Sequence, residues 1–193
     1  MFQYTLLYIY LILYILVVLI MFWWFTDFVI AWFRKTAPEV PSDHRLRTAA
    51  LDQITQYYPN AKTVLDIGCC YGGLSHLVAK RFPKMNVTGV ECMPIPYAIA
   101  KLSRMIRGPK NCGFVFGDAF KFIKGGDKPG VRKFDIGLAY LLPPVMPKVE
   151  EVSNHFKVLL VMDFPLPNQK PTRVIKLHKN FMGPHTLYVY ENN

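Results

Sequence analysis

The chain has 193 residues, 52% apolar and 15% aromatic, with a formal net charge of +10. That length holds one ordinary domain plus an appendage, and 19% charged residues is too few for a disordered chain of this hydrophobicity. Four cysteines (Cys69, Cys70, Cys92, Cys112) make no CxxC pair and no ligand spacing with the five histidines, which argues against a disulfide framework and against a zinc module, and predicts no metal site.

From Met1 to Thr26 there is no Asp, Glu, Lys or Arg. The stretch Thr5 to Phe25 is long enough to cross a hydrocarbon core of ~30 Å as a helix. Trp23, Trp24 and Trp32, with Phe22 and Phe25, read as an interfacial aromatic belt. A cleaved signal peptide is the competing reading, but no basic n-region and no small-x-small cleavage site accompany the run. Residues 1–33 are therefore expected to be a retained transmembrane anchor contacting the lipid bilayer. Arg34, Lys35, Arg45 and Arg47 follow the span and nothing basic precedes it. The positive-inside rule then puts the rest of the chain on the cytosolic or an equivalent interior face.

Residues 34–45 form a polar connector with two prolines, and a domain is expected over 46–193. Its first element, Leu46 to Tyr58, has helical apolar spacing. Strands and helices then alternate: a buried strand at Thr63–Gly68, a helix at Leu74–Phe82, a strand at Asn86–Glu91, and a helix over 96–106. A third strand at 112–118 leads into a basic loop, a fourth strand covers 134–141, and a short helix covers 148–156. A fifth strand at 157–164 precedes a proline-rich segment, and 172–178 and 185–191 are a terminal pair open to antiparallel pairing. Continuous apolar strands alternating with helices predict a doubly wound, mostly parallel α/β sheet.

In such sheets ligands bind at the carboxyl ends of the central strands. Here the first strand ends in Asp66-Ile67-Gly68-Cys69-Cys70-Tyr71-Gly72, the second in Glu91 and the third in Asp118. Gly68 and Gly72 permit a tight turn and close backbone approach to a ligand. Glu91 is spaced to accept from ribose hydroxyls, and Asp118 to accept from an exocyclic amine such as that of adenine. A dinucleotide fingerprint fails, because position 70 is Cys and Asp66 would set negative charge beside a pyrophosphate. S-adenosylmethionine, which has a cationic centre and no phosphate, fits better.

Asp66-x-Gly68-x-x-x-Gly72 followed by Glu91 and Asp118 resembles the class I (seven-stranded) S-adenosylmethionine-dependent methyltransferases. The resemblance implies a Rossmann-like sheet of seven strands, with Asp66, Gly68, Cys70, Gly72, Glu91 and Asp118 around the cofactor. A narrower set of motifs comprises Val40-Pro41-Ser42, Val64 to Gly68, Gly89-Val90-Glu91, Pro144 to Glu150, and Phe164-Pro165-Leu166-Pro167. It is similar to a membrane-anchored family of protein-lysine methyltransferases whose mitochondrial members modify the adenine nucleotide translocase and the ATP synthase c-subunit. The likeness covers roughly Pro38 to Val174 and implies a membrane-protein substrate. One departure is clear: the family's G-S-G-D-G is Gly68-Cys69-Cys70-Tyr71-Gly72 here. Cys70 suits the turn if its φ is negative and is strained by about 1–3 kcal/mol if it is positive.

Acceptor-side candidates follow the fourth and fifth strands: Tyr140, Pro143 and Asp163. Leu141-Leu142-Pro143-Pro144 approaches the [DN]-P-P-[YF] pattern of methyltransferases acting on adenine or glutamine amides, but Leu142 replaces the polar residue and Val145 the aromatic. His76 reads as a packing residue, and Asp135 as structural. Lys101, Arg104 and Arg107 recur at i, i+3, i+6, and Lys121, Lys124, Lys128, Arg132 and Lys133 follow. These suit a solvated cationic face or anionic headgroups; no nucleic-acid module accompanies them. The expected function is methyl transfer to a lysine of a membrane protein. A lipid or membrane-soluble small-molecule acceptor, and a non-catalytic cofactor-binding module, are the alternatives.

Overall fold

The computed structural model describes residues 2–34, 43–126, 130, 132–177 and 185–192. Val40-Pro41-Ser42, Lys35, Lys128 and the side chains of Trp24, Trp32 and Arg34 lie outside the described residues. The chain divides into two compact units, Met1–Pro38 and Glu39–Asn193.

The first unit is one helix, α1 (Phe2–Arg34). Its segment Tyr4–Trp23 is long and apolar enough to cross a membrane, and none of it is buried. Large apolar side chains from Tyr4 to Phe22 are exposed along the helix.

In the second unit α2 (His44–Tyr57) starts at Asp43, whose carboxylate accepts from Arg45 N at 2.7 Å, and buries Leu46, Ala49, Ala50 and Ile54. The elements that follow are β1 (Thr63–Ile67), α3 (Gly73–Arg81), β2 (Asn86–Glu91), α4 (Pro94–Arg107), β3 (Cys112–Phe116), α5 (Ala119–Ile123), β4 (Phe134–Ala139), α6 (Met146–Glu151), β5 (Phe156–Met162), β6 (Arg173–Lys176) and β7 (Thr186–Glu191). The seven strands form one sheet in the order β3-β2-β1-β4-β5-β7-β6. The first five run parallel, and β7 is inserted antiparallel between β5 and β6. The chain moves outward from β1 to β3, then returns to β4 on the other side of β1, so the order reverses at the β1–β4 pair. That reversal opens a crevice at the carboxyl ends of these strands.

Two apolar layers close the faces of the sheet. Leu46, Ile54, Val78, Met85 and Leu138 belong to one, and Leu65, Ile67, Ile123, Val149 and Tyr190 to the other. All but the second residue of β5 are buried, as expected of a central strand covered on both faces.

The structure departs from the sequence expectation at several places. The basic loop after β3 opens with a five-residue helix, α5, because Asp118 caps it. The helix expected over 148–156 starts earlier, in a 3-10 turn at Pro143–Val145, and β5 already begins at Phe156. Prolines 143, 144 and 147 suit these first turns, where no backbone N–H is needed. α4 likewise begins two residues early, at Pro94. Strand β4 stops at Ala139, which frees Tyr140 and Leu141 from the ladder.

Candidate functional site

Between β1 and α3 the backbone turns through three left-handed residues: Gly68 (φ 71°), Cys70 (φ 51°) and Gly72 (φ 75°). Gly68 N and Cys69 N both donate to Val90 O, at 3.0 and 3.1 Å, and Gly72 N donates to Cys69 O at 2.9 Å. The turn is thus pinned to β2. A Cβ at Gly72 would stand 2.4 Å from Phe114 Cζ, and one at Gly68 would stand 2.9 Å from Leu141 Cδ2. Gly72 is held to glycine by space as well as by φ, whereas at Gly68 the φ is the constraint and the Leu141 methyl would have to move aside. Cys70 takes the positive-φ branch of the sequence expectation, so a side chain sits where the backbone favours glycine by about 1–2 kcal/mol.

What holds Cys70 there is Glu91. Its Oε2 accepts from Cys70 N at 2.8 Å and its Oε1 accepts from Met93 N at 2.8 Å. The carboxylate is buried, 6% exposed, and ties the end of β2 to the glycine turn and to the start of α4. A carboxylate has about four acceptor sites, so two remain for a ligand. Asp118 lies one strand further along, and Gly117 N donates to Glu91 O at 2.9 Å, which keeps the two strand ends together. Asp118 Oδ1 accepts from Phe120 N at 2.8 Å and Lys121 N at 3.3 Å, a helix cap not foreseen for a base-recognition residue.

Asp66 is buried and accepts from Ser75 Oγ at 2.6 Å. Burial pushes its carboxyl up to about 6; the Ser75 bond opposes this, and the charge of Glu91 adds to it. Burial also raises both inward cysteine thiols, Cys112 to about 12 and Cys69 further still. Neither is a thiolate nucleophile at neutral pH. Among the described residues no three His, Cys, Asp or Glu side chains are grouped to hold a metal ion. His76 packs edge-on to Phe114, with centroids 5.2 Å apart, a packing role. Asp135 accepts from Lys62 N, Thr63 N and Lys157 Nζ at 2.7 to 3.0 Å and locks the start of β4 to β1.

A second cluster sits at the same edge of the sheet, beyond β4 and β5. Asp163 has φ 65°. Its carboxylate bonds His185 Nδ1 at 3.1 and 2.9 Å and accepts from Thr186 N at 3.0 Å. The Tyr140 phenol is raised by burial and by the nearby Asp163 carboxylate. Tyr140 and Asp163 are therefore brought together, and His185 joins them. His185 is 7% exposed, and its Nε2 has no hydrogen-bond partner among the described residues. Sequence reasoning missed it. The available signal was a histidine opening an otherwise apolar strand at the edge where ligands bind. Pro143 is exposed and opens the 3-10 turn that follows β4. Leu141, packed against Gly68, links the two clusters.

No protein-family model matches the chain. Over 88 residues it is 34% identical to the release factor glutamine methyltransferase of Aliivibrio fischeri, a match covering 46% of this chain. The chain spans only 30% of the length of that curated relative. Among solved structures it is similar to an RNA methyltransferase from Salinibacter ruber in complex with S-adenosyl-L-homocysteine (TM-score 0.63, 18% identity, 79% of this chain and 93% of that one). It is also similar to a putative O-methyltransferase from Klebsiella pneumoniae (TM-score 0.59, 13% identity, 82% and 84%). The precorrin-6y C5,15-methyltransferase of Geobacter metallireducens is a third (TM-score 0.59, 12% identity, 81% and 93%). These likenesses establish the Rossmann-like methyltransferase fold.

Proposed function

We propose that this chain is an S-adenosylmethionine-dependent methyltransferase, held in a membrane by residues 1–33, whose domain over 46–193 methylates a lysine of a membrane protein from the interior face. The observation that carries the cofactor reading is the left-handed turn Gly68-Cys70-Gly72 hydrogen-bonded through Cys70 N to Glu91 at the reversal point of a methyltransferase fold. The donor set fits the group. Glu91 and Asp118 are acceptors suited to ribose hydroxyls and an exocyclic amine, and Asp66 is an acid suited to a nearby cation. A phosphate-bearing cofactor would meet three carboxylates instead. The structures similar to this one include one holding S-adenosyl-L-homocysteine.

When bound, the cofactor supplies an electrophilic methyl group on a sulfonium, and positioning is most of what the protein must add, worth roughly 7–11 kcal/mol. The residues of this chain then have separate tasks. Gly68 and Gly72 let the backbone approach closely, and Glu91 fixes the turn. Tyr140, Pro143 and Asp163 border the acceptor side. A lysine amine must be neutral to react, and its ordinary pKa is near 10.4. Asp163, with the imidazole of His185, is the group here suited to accept that proton. A protein acceptor is also what the name of the Aliivibrio relative carries, and that supports protein over lipid.

The test uses membranes containing the full chain and methyl-tritiated S-adenosylmethionine, separated into a delipidated protein fraction and a lipid extract. Label in a protein band, recovered as methyl-lysine after hydrolysis, is the expected result. Label in the lipid extract would replace the lysine acceptor with a lipid or another membrane-soluble molecule. One observation favours a further alternative, a non-catalytic module: the strained Cys70 in the turn. That reading requires label in neither fraction.

A further inference from the structure

From Cys92 to Gly117 the chain has no acidic residue, but it has Lys101, Arg104, Arg107 and Lys110. The helix in this stretch, α4, is turned in an unusual way. The side it presents to the domain is small, with Pro96 and Ala100 buried. Its opposite side carries Leu102, Met105 and Ile106, which are 56%, 68% and 66% exposed. At 100° per residue these three lie on one stripe with Ala98, roughly 140° to 240° round the helix from Ala100, and Lys101 stands at its edge, about 100° from Ala100. Lys101 flanks the stripe, its Nζ 5.7 Å from the Tyr97 ring centroid, and Arg107 and Lys110 are exposed near its C-terminal end. Arg104, which the sequence alone groups with them, is turned back to the domain and donates to Cys112 O at 3.1 Å.

Apolar residues on the outward face of an amphipathic helix, bordered by Lys101, followed by the exposed Arg107 and Lys110 at the C-terminal end and free of acids, make the composition of a helix that lies in a lipid interface. Water gives that stripe no reason to exist, because leaving Leu, Met and Ile exposed forfeits their burial. Charge selects the occupant. A basic rim with no acid over the whole stretch suits an anionic headgroup layer, whereas two copies of the same face would bring like charges together. We propose that α4 is a second membrane contact, with Leu102, Met105 and Ile106 inserted among the lipids and Lys101, Arg107 and Lys110 on anionic headgroups. The proposal rests on reading residues 1–33 as a membrane anchor, which keeps the domain at the bilayer; it does not depend on the reaction catalysed.

The experiment uses the full chain in vesicles of phosphatidylcholine, with or without phosphatidylglycerol. The photo-crosslinker p-benzoylphenylalanine is placed at Met105 and, separately, at Val174, which is exposed on the edge strand β6 at the other end of the sheet. Flotation reports the anchor independently. The proposal expects floating protein whose lipid adducts at position 105 exceed those at 174 by about fivefold or more in anionic vesicles, the factor expected from one basic residue near a headgroup layer. It also expects those adducts to fall in the Lys101→Glu, Arg107→Glu double variant. Floating protein with equal adducts at both positions overturns the α4 contact and leaves the anchor standing. So does a crosslinked dimer, or an adduct with another protein in native membranes. Protein that fails to float overturns the anchor and this proposal together.

Discussion

The backbone N–H of Cys70 donates to Glu91 Oε2 at 2.8 Å across 21 residues of chain, and this bond decides the shape of the turn between β1 and α3. A residue with a side chain stands at φ 51°, held by a carboxylate that is itself buried.

Replacing Glu91 removes two acceptors at once. In Glu91→Ala, Cys70 N and Met93 N lose their bonds to the carboxylate, and losing such a bond away from water costs about 1–3 kcal/mol. Urea unfolding is expected to show a loss of several kcal/mol, and titration calorimetry a loss of cofactor binding. Glu91→Gln, which keeps one acceptor oxygen, is expected to fall between. A wild-type midpoint in Glu91→Ala would mean the turn does not depend on this carboxylate.

Cys70→Gly removes the left-handed strain while losing little packing, since Cys70 is only half-buried. The gain of about 1–2 kcal/mol at this φ is offset in part by the greater freedom of glycine in the unfolded chain. A net stabilisation of up to about 1 kcal/mol is expected, with cofactor binding at least as tight. Cys70→Val, β-branched at positive φ, is expected to destabilise. Equal midpoints for the two variants would contradict the strain.

Asp66 makes stability depend on pH in a definite direction. Its folded carboxyl is raised to about 6 from 3.8, so the folded state holds the proton more tightly. Stability is then greatest below the unfolded value, falls as pH rises from about 4 to about 6, and is flat above. Asp66→Asn is expected to remove this slope, to be more stable than wild type at pH 8 but not at pH 4, and to lose activity. Asp135, held at about 2 first against its burial by Lys157 and by two backbone N–H groups, acts oppositely, its contribution vanishing as pH drops below about 4. Urea midpoints from pH 3 to pH 8 in the Asp66→Asn variant separate the two.

On the proposed function, the cluster beyond β5 serves transfer rather than cofactor binding. His185→Phe keeps a ring at the start of β7 and removes the partner of Asp163. Asp163→Asn retains a residue type that tolerates φ 65° and removes the charge. Both are expected to bind cofactor normally and to lower turnover by about 100-fold or more, the scale of a positioned proton acceptor. The loss should shrink at high pH, where the acceptor amine is neutral without help. A uniform loss at all pH values, with weakened cofactor binding, would make the pair structural.

Much of this was legible in the sequence, because glycine and acid positions at strand ends are local features. Gly68, Gly72, Glu91 and Asp118 all fall at strand ends, and the parallel pairing of β1 to β5 follows from the alternation of strands and helices. Residue identity says nothing of the sign of φ at Cys70, which depends on Glu91 reaching back 21 residues. Nor does it join His185 to Asp163, a contact made only because β7 runs antiparallel beside β5. Helix α5 escapes the sequence for a physical reason as well: five residues are too few for an apolar period, and its one local signal, Asp118, equally suits a ligand contact. The basic residues of α4 were legible, whereas the outward turn of Leu102, Met105 and Ile106 needed the packing of Ala100 to be known.

The most direct measurement is methyl transfer by the full chain in its membrane from tritiated S-adenosylmethionine, run beside Glu91→Ala, with cofactor binding measured on the same preparations. The account predicts binding and protein-bound label in the wild type, and neither in the variant. Undiminished binding and transfer in Glu91→Ala, or no binding by the wild type, would contradict it.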